Sequence, residues 1–282
     1  MRITVNGKKL FFDVEGDALH HDGSGLQERP TLILLHGSPG NSDHTVFKPM
    51  FSALTDVAQV VYLDLAGCGR SDDPVDAVFS LEAWADDLVE FCHVLGIEKP
   101  VVLGNSAGGM VAIVYGSRHP EHPGKLILSS TQARLVAERC LTVFERLGGP
   151  EAREVARRAL VTECDGPSFV DYARTCMKLY NQHAPKRPRL STHRPLCAGA
   201  FHHKGGIWQS MDLFDHVRSI TCPTMILVGD DDPVTPLQDS GDIRDCIAPE
   251  LVRFERFANA GHGVWLDSPD RAFSVIRDFV TS

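Results

Sequence analysis

Three short stretches of the sequence carry residue types suited to acyl chemistry: Gly104-Asn105-Ser106-Ala107-Gly108, Gly229-Asp230-Asp231-Asp232-Pro233 and Ala260-Gly261-His262-Gly263. A serine hydroxyl becomes a nucleophile when a histidine takes its proton, and an acid behind the histidine fixes its tautomer. Ser106 follows the apolar run Val101–Gly104 and precedes the small-residue run AGGMVAIVYGS, so it falls on a strand-to-helix turn. Small residues at Gly104 and Gly108 suit such a turn because its backbones approach closely. The start of the helix offers backbone N–H groups to a developing oxyanion. Without that context the same pentapeptide is only a glycine-rich turn.

His36-Gly37-Ser38-Pro39-Gly40 follows another apolar run, TLILL, and is a second source of N–H groups. The expected oxyanion pair is the backbone N–H of Ser38 and that of Ala107, with Gly37 as the alternative to Ser38. His36 reads as a structural, hydrogen-bonding histidine. Three aspartates, Asp230, Asp231 and Asp232, compete for the orienting role, and spacing alone does not choose among them. His262 is one of thirteen histidines. A lone histidine is ordinarily a surface or core residue. This one has glycine flanks, lies at a strand-to-helix junction and comes after both the serine and the acids. His202-His203 have no partner pattern that suggests a metal and read as cap or hinge residues.

The elements that must position these groups are legible as apolar runs separated by helical patterns. A hairpin, Ile3–Val5 with Leu10–Val14, turns at Asn6-Gly7. Further runs lie at Thr31–Leu35, Val60–Asp64, Val101–Gly104, Lys125–Ser129, Thr224–Gly229 and Leu251–Phe257. Uninterrupted apolar runs of this length predict parallel strands covered on both faces. Leu81, Trp84, Leu88, Phe91 and Leu95 recur at helical spacing behind an N-cap at Ser80. A last helix opens at Ser268-Pro269 and buries Phe273, Ile276, Phe279 and Val280. Thr131–Gly205 shows no strand pattern. It reads as helices Ala133–Leu147, stopped by Gly148-Gly149, then Glu151–Leu160 and Ser168–Tyr180, followed by the basic, proline-rich APKRPRLSTHRP. The expected organisation is a core of residues 1–130 and 206–282 with residues 131–205 inserted as a helical cap. Phe144, Tyr172, Met177 and Trp208 are candidate lining residues, or equally packing within the lid.

The 282 residues, 43% hydrophobic and 23% charged, are long enough and apolar enough for a sizeable core. A net charge of −9 weighs against nucleic-acid and anionic-membrane partners. No apolar run approaches a membrane span, and the first residues read as strands and not as a signal peptide. Eight scattered cysteines without a CxxC pair are expected to be free thiols in a cytoplasmic protein, with no metal and no cofactor.

With these motifs in order, HGSPG, VVYLDLAGCGRSDDP, GNSAGG, GDDDPVTP and AGHG, the sequence resembles the α/β-hydrolase superfamily over nearly all of the chain outside the inserted segment. Its HGSPG and GCGRS segments are most similar to the proline-iminopeptidase-like branch, and GNSAGG also resembles esterases, lactonases and carbon–carbon bond hydrolases of that fold. The resemblance implies an α/β-hydrolase fold with a mostly parallel eight-stranded sheet. It places the acid three residues after the glycine, at Asp232, and so implies catalysis by Ser106, Asp232 and His262 on a small-molecule ester or amide. A nucleophilic serine, where dehalogenases and epoxide hydrolases of this fold carry aspartate, implies acyl transfer. A non-hydrolytic, ligand-binding member of the fold is the reading from outside enzymes. The peptidase branch usually has glycine where Ser38 stands and tryptophan where Ala107 stands. It holds a substrate amino terminus with cap carboxylates. Here Glu138, Glu145, Glu151, Glu154, Glu163, Asp165 and Asp171 mostly lie in charge-mixed helical patterns typical of solvated faces.

Overall fold

The computed structural model describes residues 1–21, 23–184 and 192–282. Strands β1 (Arg2–Val5) and β2 (Lys8–Glu15) form the expected hairpin, with Asn6 and Gly7 both at positive φ in the turn. Two-residue turns need that backbone to match the twist of the flanking strands. A second hairpin, β3 (Leu19–His21) and β4 (Leu26–Glu28), was not anticipated. It is short, largely exposed and lacks the apolar alternation that marks a half-buried strand.

Strands β5 (Thr31–Leu35), β6 (Gln59–Leu63), β7 (Val101–Asn105), β8 (Lys125–Ser129), β9 (Thr224–Gly229) and β10 (Val252–Phe257) run parallel to one another. With the first hairpin, whose β2 pairs antiparallel with β6, they make an eight-stranded sheet in the order β1-β2-β6-β5-β7-β8-β9-β10. The central strands are buried on both faces, which is why their sequences are continuous apolar runs and do not alternate. On one face lie α1 (Leu81–Leu95) and α2 (Ala107–Arg118) over a core that includes Trp84, Phe91, Val111 and Tyr115. The other face is covered by α9 (Pro269–Thr281) and by two 3-10 turns, one ending at Phe47 and one carrying Phe51, which packs edge-on with Phe47, Trp265 and Phe273.

Helix α1 begins where Ser80 accepts from Ala83 N and ends where Gly96 turns left-handed at φ 66°. Ser268 precedes α9 as expected, but its side chain makes no capping bond; Pro269, which has no N–H to satisfy, starts the helix. Between β8 and β9 the regular elements among the described residues are helices and helical turns, with one isolated β-bridge between Arg134 and Asp212. The predicted stop at Gly148-Gly149 is present: α3 (Ala137–Arg157) is two helical stretches meeting at a kink, where Gly149 at φ 78° breaks the helical path and Pro150 opens the second. Helix α4 (Gly166–Thr175) starts two residues before the expected Ser168, because Asp165 and Ser168 form a reciprocal capping box. A 3-10 turn, Met177–Leu179, replaces its predicted last turn. The short helices α5 (Pro195–His202), α6 (Ile207–Ser210), α7 (Phe214–Arg218) and α8 (Leu237–Arg244) were not foreseen. Most of the basic, proline-rich stretch, residues 185–191, lies outside the described residues.

Helix α2 crosses the sheet at a distance that only glycine permits. A β-carbon on Gly104 would stand 2.2 Å from Gly108 O, and one on Gly108 would stand 2.1 Å from Leu35 O. Both obstacles are backbone and cannot step aside. At Gly116 the obstacle is the tip of Leu126, at 2.7 Å, which can rotate. We therefore expect Gly104→Ala to lose about 2–4 kcal/mol of stability by thermal or denaturant unfolding. Gly116→Ala should stay within about 1 kcal/mol of the parent, its clash offset by better helix propensity. Equal losses at the two sites would show that the close approach of α2 is not what Gly104 serves.

Candidate active site

Ser106 sits between the end of β7 and the start of α2 with φ 56° and ψ −121°. That is a strained conformation for a residue with a side chain, and such strain concentrates at functional turns. Ser106 N donates to Ser129 O at 2.9 Å, and Thr131 Oγ1 donates to Ser106 O at 2.7 Å, so the end of β8 braces the turn. The loop after β5 lies against it. A β-carbon on Gly37 would come within 2.7 Å of Ser106 Cβ and 3.2 Å of its Oγ.

Among the three aspartates, Asp232 is the one whose carboxylate meets His262. His262 Nδ1 donates to Asp232 Oδ2 at 2.9 Å, with Oδ1 at 3.1 Å. A carboxylate only accepts, so Nδ1 carries the hydrogen and Nε2 of the neutral ring is left as the basic nitrogen. Asp232 is fully buried. Burial opposes its ionisation, but the His262 charge and the hydrogen bonds from His262, Thr235 N and Val234 N hold its carboxyl below the usual range. Thr235 Oγ1 adds a bond at 2.9 Å. Asp230 pairs with Arg256, and Asp231 with Arg146 at 2.6 Å, so neither is free to orient an imidazole.

The loop of His262 is tied to the same strand end that braces Ser106: Gly263 N donates to Ser130 Oγ at 2.9 Å. Among the described residues no direct hydrogen bond joins Ser106 to His262, although such bonds often tighten only with substrate bound. The helical segment reaches the histidine through Tyr180. Its carbonyl accepts from His262 N at 2.8 Å, and its ring stands edge-on 5.3 Å from the imidazole. Gly261 has no room for a side chain there, since a β-carbon would lie 1.8 Å from Tyr180 O. Asp267 accepts from Gly261 N, Asn181 Nδ2 and His183 N, fastening residues 181–183 to the histidine loop. Sequence reading did not single out Tyr180 or Asp267. Nothing in a lone tyrosine or aspartate marks it as a tether between distant loops.

His36 is buried; its Nδ1 donates to Gly37 O at 2.9 Å, and Nε2 accepts from Leu65 N at 3.3 Å, the structural role expected of it. Ser38, at φ 46°, places its Oγ 3.4 Å from His202 Nε2, so the residue read as cap or hinge lies beside the loop after β5. Among the described residues, the backbone N–H of Ser38 and that of Ala107 meet no acceptor. Of the candidate lining residues, Phe144 and Tyr172 pack edge-on, and the Tyr172 hydroxyl bonds that of Tyr180 at 2.8 Å. Trp208 Nε1 donates to Gln132 Oε1 at 2.6 Å, and Gln132 Nε2 donates to Asp239 at 3.2 Å.

Asp239 is buried, and burial pushes its carboxyl up to about 6; the Arg139 guanidinium opposes this, while the charges of Asp242 and Asp232 add to it. A carboxyl raised in the folded state costs stability as pH climbs from about 4 through about 6, where the unfolded chain is already ionised. At about 1.4 kcal/mol per unit, the loss is on the order of 3 kcal/mol. Asp239→Asn removes it, so the variant's Tm should gain on the parent as pH rises from 4 to 7. A constant difference across that range would mean that Asp239 stays ionised throughout.

One other cluster has metal-ligand types in proximity. Asp43, His44 and Asp64 are buried, with ligand atoms within 4.8 Å of one another. Their oxygens are already engaged: Asp64 accepts from His44 N, His44 Nδ1 and Arg70 N, and Asp43 from Thr45 and Thr192. These hydrogen bonds tie the loop after β5 to the loop after β6.

A family model described as alpha/beta hydrolase fold matches residues 30–148. With the sheet order and the strand–serine–helix turn, this match shows that the chain has the α/β-hydrolase fold, and its relatives support a hydrolase enzyme. It is similar to proline iminopeptidase from Lactobacillus helveticus (strain DPC 4571), with 29% identity over 272 residues covering 90% of each protein. The crystal structure of proline iminopeptidase from Mycobacterium smegmatis superposes with a TM-score of 0.79 at 21% identity, over 99% of this chain and 97% of that one. A thermophilic esterase from Thermogutta terrifontis superposes at 0.68 with 26% identity over the whole of both chains. All eight cysteines are free, and among the described residues no helix is long and apolar enough to cross a membrane.

Proposed function

We propose that the chain is a serine hydrolase that cleaves a small, uncharged ester or amide through an acyl-enzyme. The observation that carries this reading is the buried Asp232 carboxylate on His262 Nδ1, with Ser106 in a strained turn braced by the same strand end. Ser106 Oγ attacks the carbonyl carbon as His262 Nε2 takes its proton. The carbonyl oxygen becomes an oxyanion held by the N–H groups of Ser38 and Ala107. Collapse expels the leaving group, which receives the proton from His262. Water, activated by the same imidazole, then releases the acid and restores Ser106. Asp232 holds the tautomer and stabilises the imidazolium. Residues 131–205 act as a cap over the core formed by residues 1–130 and 206–282, a reading supported by Tyr180 against His262 and His202 against Ser38. Free buried thiols support a cytoplasmic location.

The relatives favour a second reading, release of an N-terminal residue. That reaction needs a carboxylate to meet the substrate ammonium. In the helical segment Glu138 and Glu145 pair with Arg153, Glu154 with Arg157, and Glu163 and Asp171 with Arg158. Asp165 caps α4, and Glu151 is exposed. These partners favour the uncharged substrate. A fluorophosphonate probe should label Ser106, and turnover should be faster on p-nitrophenyl esters than on amino-acid anilides. Rapid turnover of proline anilide with little on esters would establish the peptidase instead.

A further inference from the structure

His202 ends α5 in an aromatic enclosure, with ring centroids 4.9 Å from Phe201, 5.8 Å from Phe169 and 6.3 Å from Trp208, all edge-on. Its Nε2 reaches Ser38 Oγ at 3.4 Å, a long contact. Its Nδ1 is shielded from solvent and meets no hydrogen-bond partner among the described residues. A buried polar atom without a partner costs free energy, and a ligand group is one of the few explanations for keeping it. Burial also drives the imidazole down to about 4, so the ring is neutral at ordinary pH and repels no neutral ligand.

Its place in the site defines what it would meet. The leaving group must lie beside His262, which returns the proton, and Tyr180 borders that side. His202 instead adjoins the oxyanion loop, with Trp208 continuing the wall to Gln132 next to Thr131, which braces Ser106. It therefore borders the acyl side. We propose that His202 is a specificity-determining residue whose unpartnered ring nitrogen reads an uncharged hydrogen-bonding group, a hydroxyl, on the acyl part of the substrate. A hydroxyl both donates and accepts, so it satisfies either tautomer of the ring. The inference rests on the ester or amide hydrolase proposed above and narrows its substrates to hydroxylated acyl groups. The aromatic enclosure supplies the apolar contact for the rest of the chain.

The test holds the leaving group constant. Wild type and His202→Phe are assayed on p-nitrophenyl butyrate and on its 2-, 3- and 4-hydroxy counterparts, after fluorophosphonate labelling confirms a reactive Ser106 in each. Wild type should prefer one hydroxylated ester by roughly 5- to 10-fold in kcat/KM, the scale of one net hydrogen bond. His202→Phe should bring that ratio to about one, largely through KM, and His202→Gln should restore part of it. If labelling fails in the wild type, the hydrolase reading itself is wrong. With labelling intact, a wild type indifferent to the hydroxyl overturns the proposal. So does a variant that slows all four esters equally, which would make His202 a packing residue. If His202→Phe does not fold, the wild-type ratio and His202→Gln still decide.

Discussion

Ser106→Ala is expected to fold like the parent and to lose about 10⁴–10⁶ in kcat, the cost of removing a nucleophile that acts together with its base. Alanine must occupy the same φ of 56° and ψ of −121° as serine, so the strain of the turn is unchanged. The braces from Ser129 and Thr131 go to the backbone of Ser106 and survive the substitution. Stability should therefore move by no more than about 1 kcal/mol. The check is turnover of a p-nitrophenyl ester by purified variant, with the melting curve recorded alongside. A residual rate well above the uncatalysed one is compatible, since the oxyanion donors remain. A variant that keeps more than about one-hundredth of parental kcat would place the nucleophile elsewhere.

Asp232→Asn should cost about 10⁴ in kcat, because the amide keeps the shape but favours the wrong imidazole tautomer. Its neighbours provide the control. Asp230 and Asp231 point at Arg256 and Arg146 on the surface, and exposed pairs of this kind are worth about 0–1 kcal/mol. Asp230→Asn and Asp231→Asn should accordingly leave kcat within about threefold of the parent. Removing the Asp232 charge also leaves Val234 N and Thr235 N facing a weaker acceptor, so a drop in Tm should accompany the lost rate. Similar kinetic losses at all three aspartates would mean that the triplet acts through its net charge and not through one oriented carboxylate.

The frame of the molecule was readable because its signals are local. Lys125–Ser129, Thr224–Gly229 and Leu81–Leu95 have the same bounds in the sequence reading and in the structure, since burial on both faces or on one stripe writes itself into consecutive residues. The β3–β4 hairpin and helices α5 to α8 left no such trace. They are short, and their formation depends on surroundings more than on periodicity. The break at Gly149 belongs with the local signals, since a Gly-Gly pair followed by proline interrupts the helix where the sequence marks it. The site divides in the same way. Ser106 and His262 announce themselves by glycine-flanked turns after strands, and Asp232 was chosen by resemblance. Gln132 and Asp267 meet neighbours distant in sequence, so no spacing could have revealed them, and His202 was noticed only as a cap or hinge residue.

The fit of Tyr180 over Gly261 bears on how freely this scaffold can be re-engineered. Inserted lids are attractive modules for grafting, since a new lid brings a new pocket. Here the position of the His262 loop is shared with the helical segment: residues 180–183 supply a carbonyl to His262 N and two donors to Asp267. A chimera that replaces the whole segment would leave the histidine loop unmoored and lose turnover on every substrate. One that retains residues 180–183 from this chain should tolerate foreign helices on either side. The splice points for such a graft are therefore expected inside the helical segment and not at its ends.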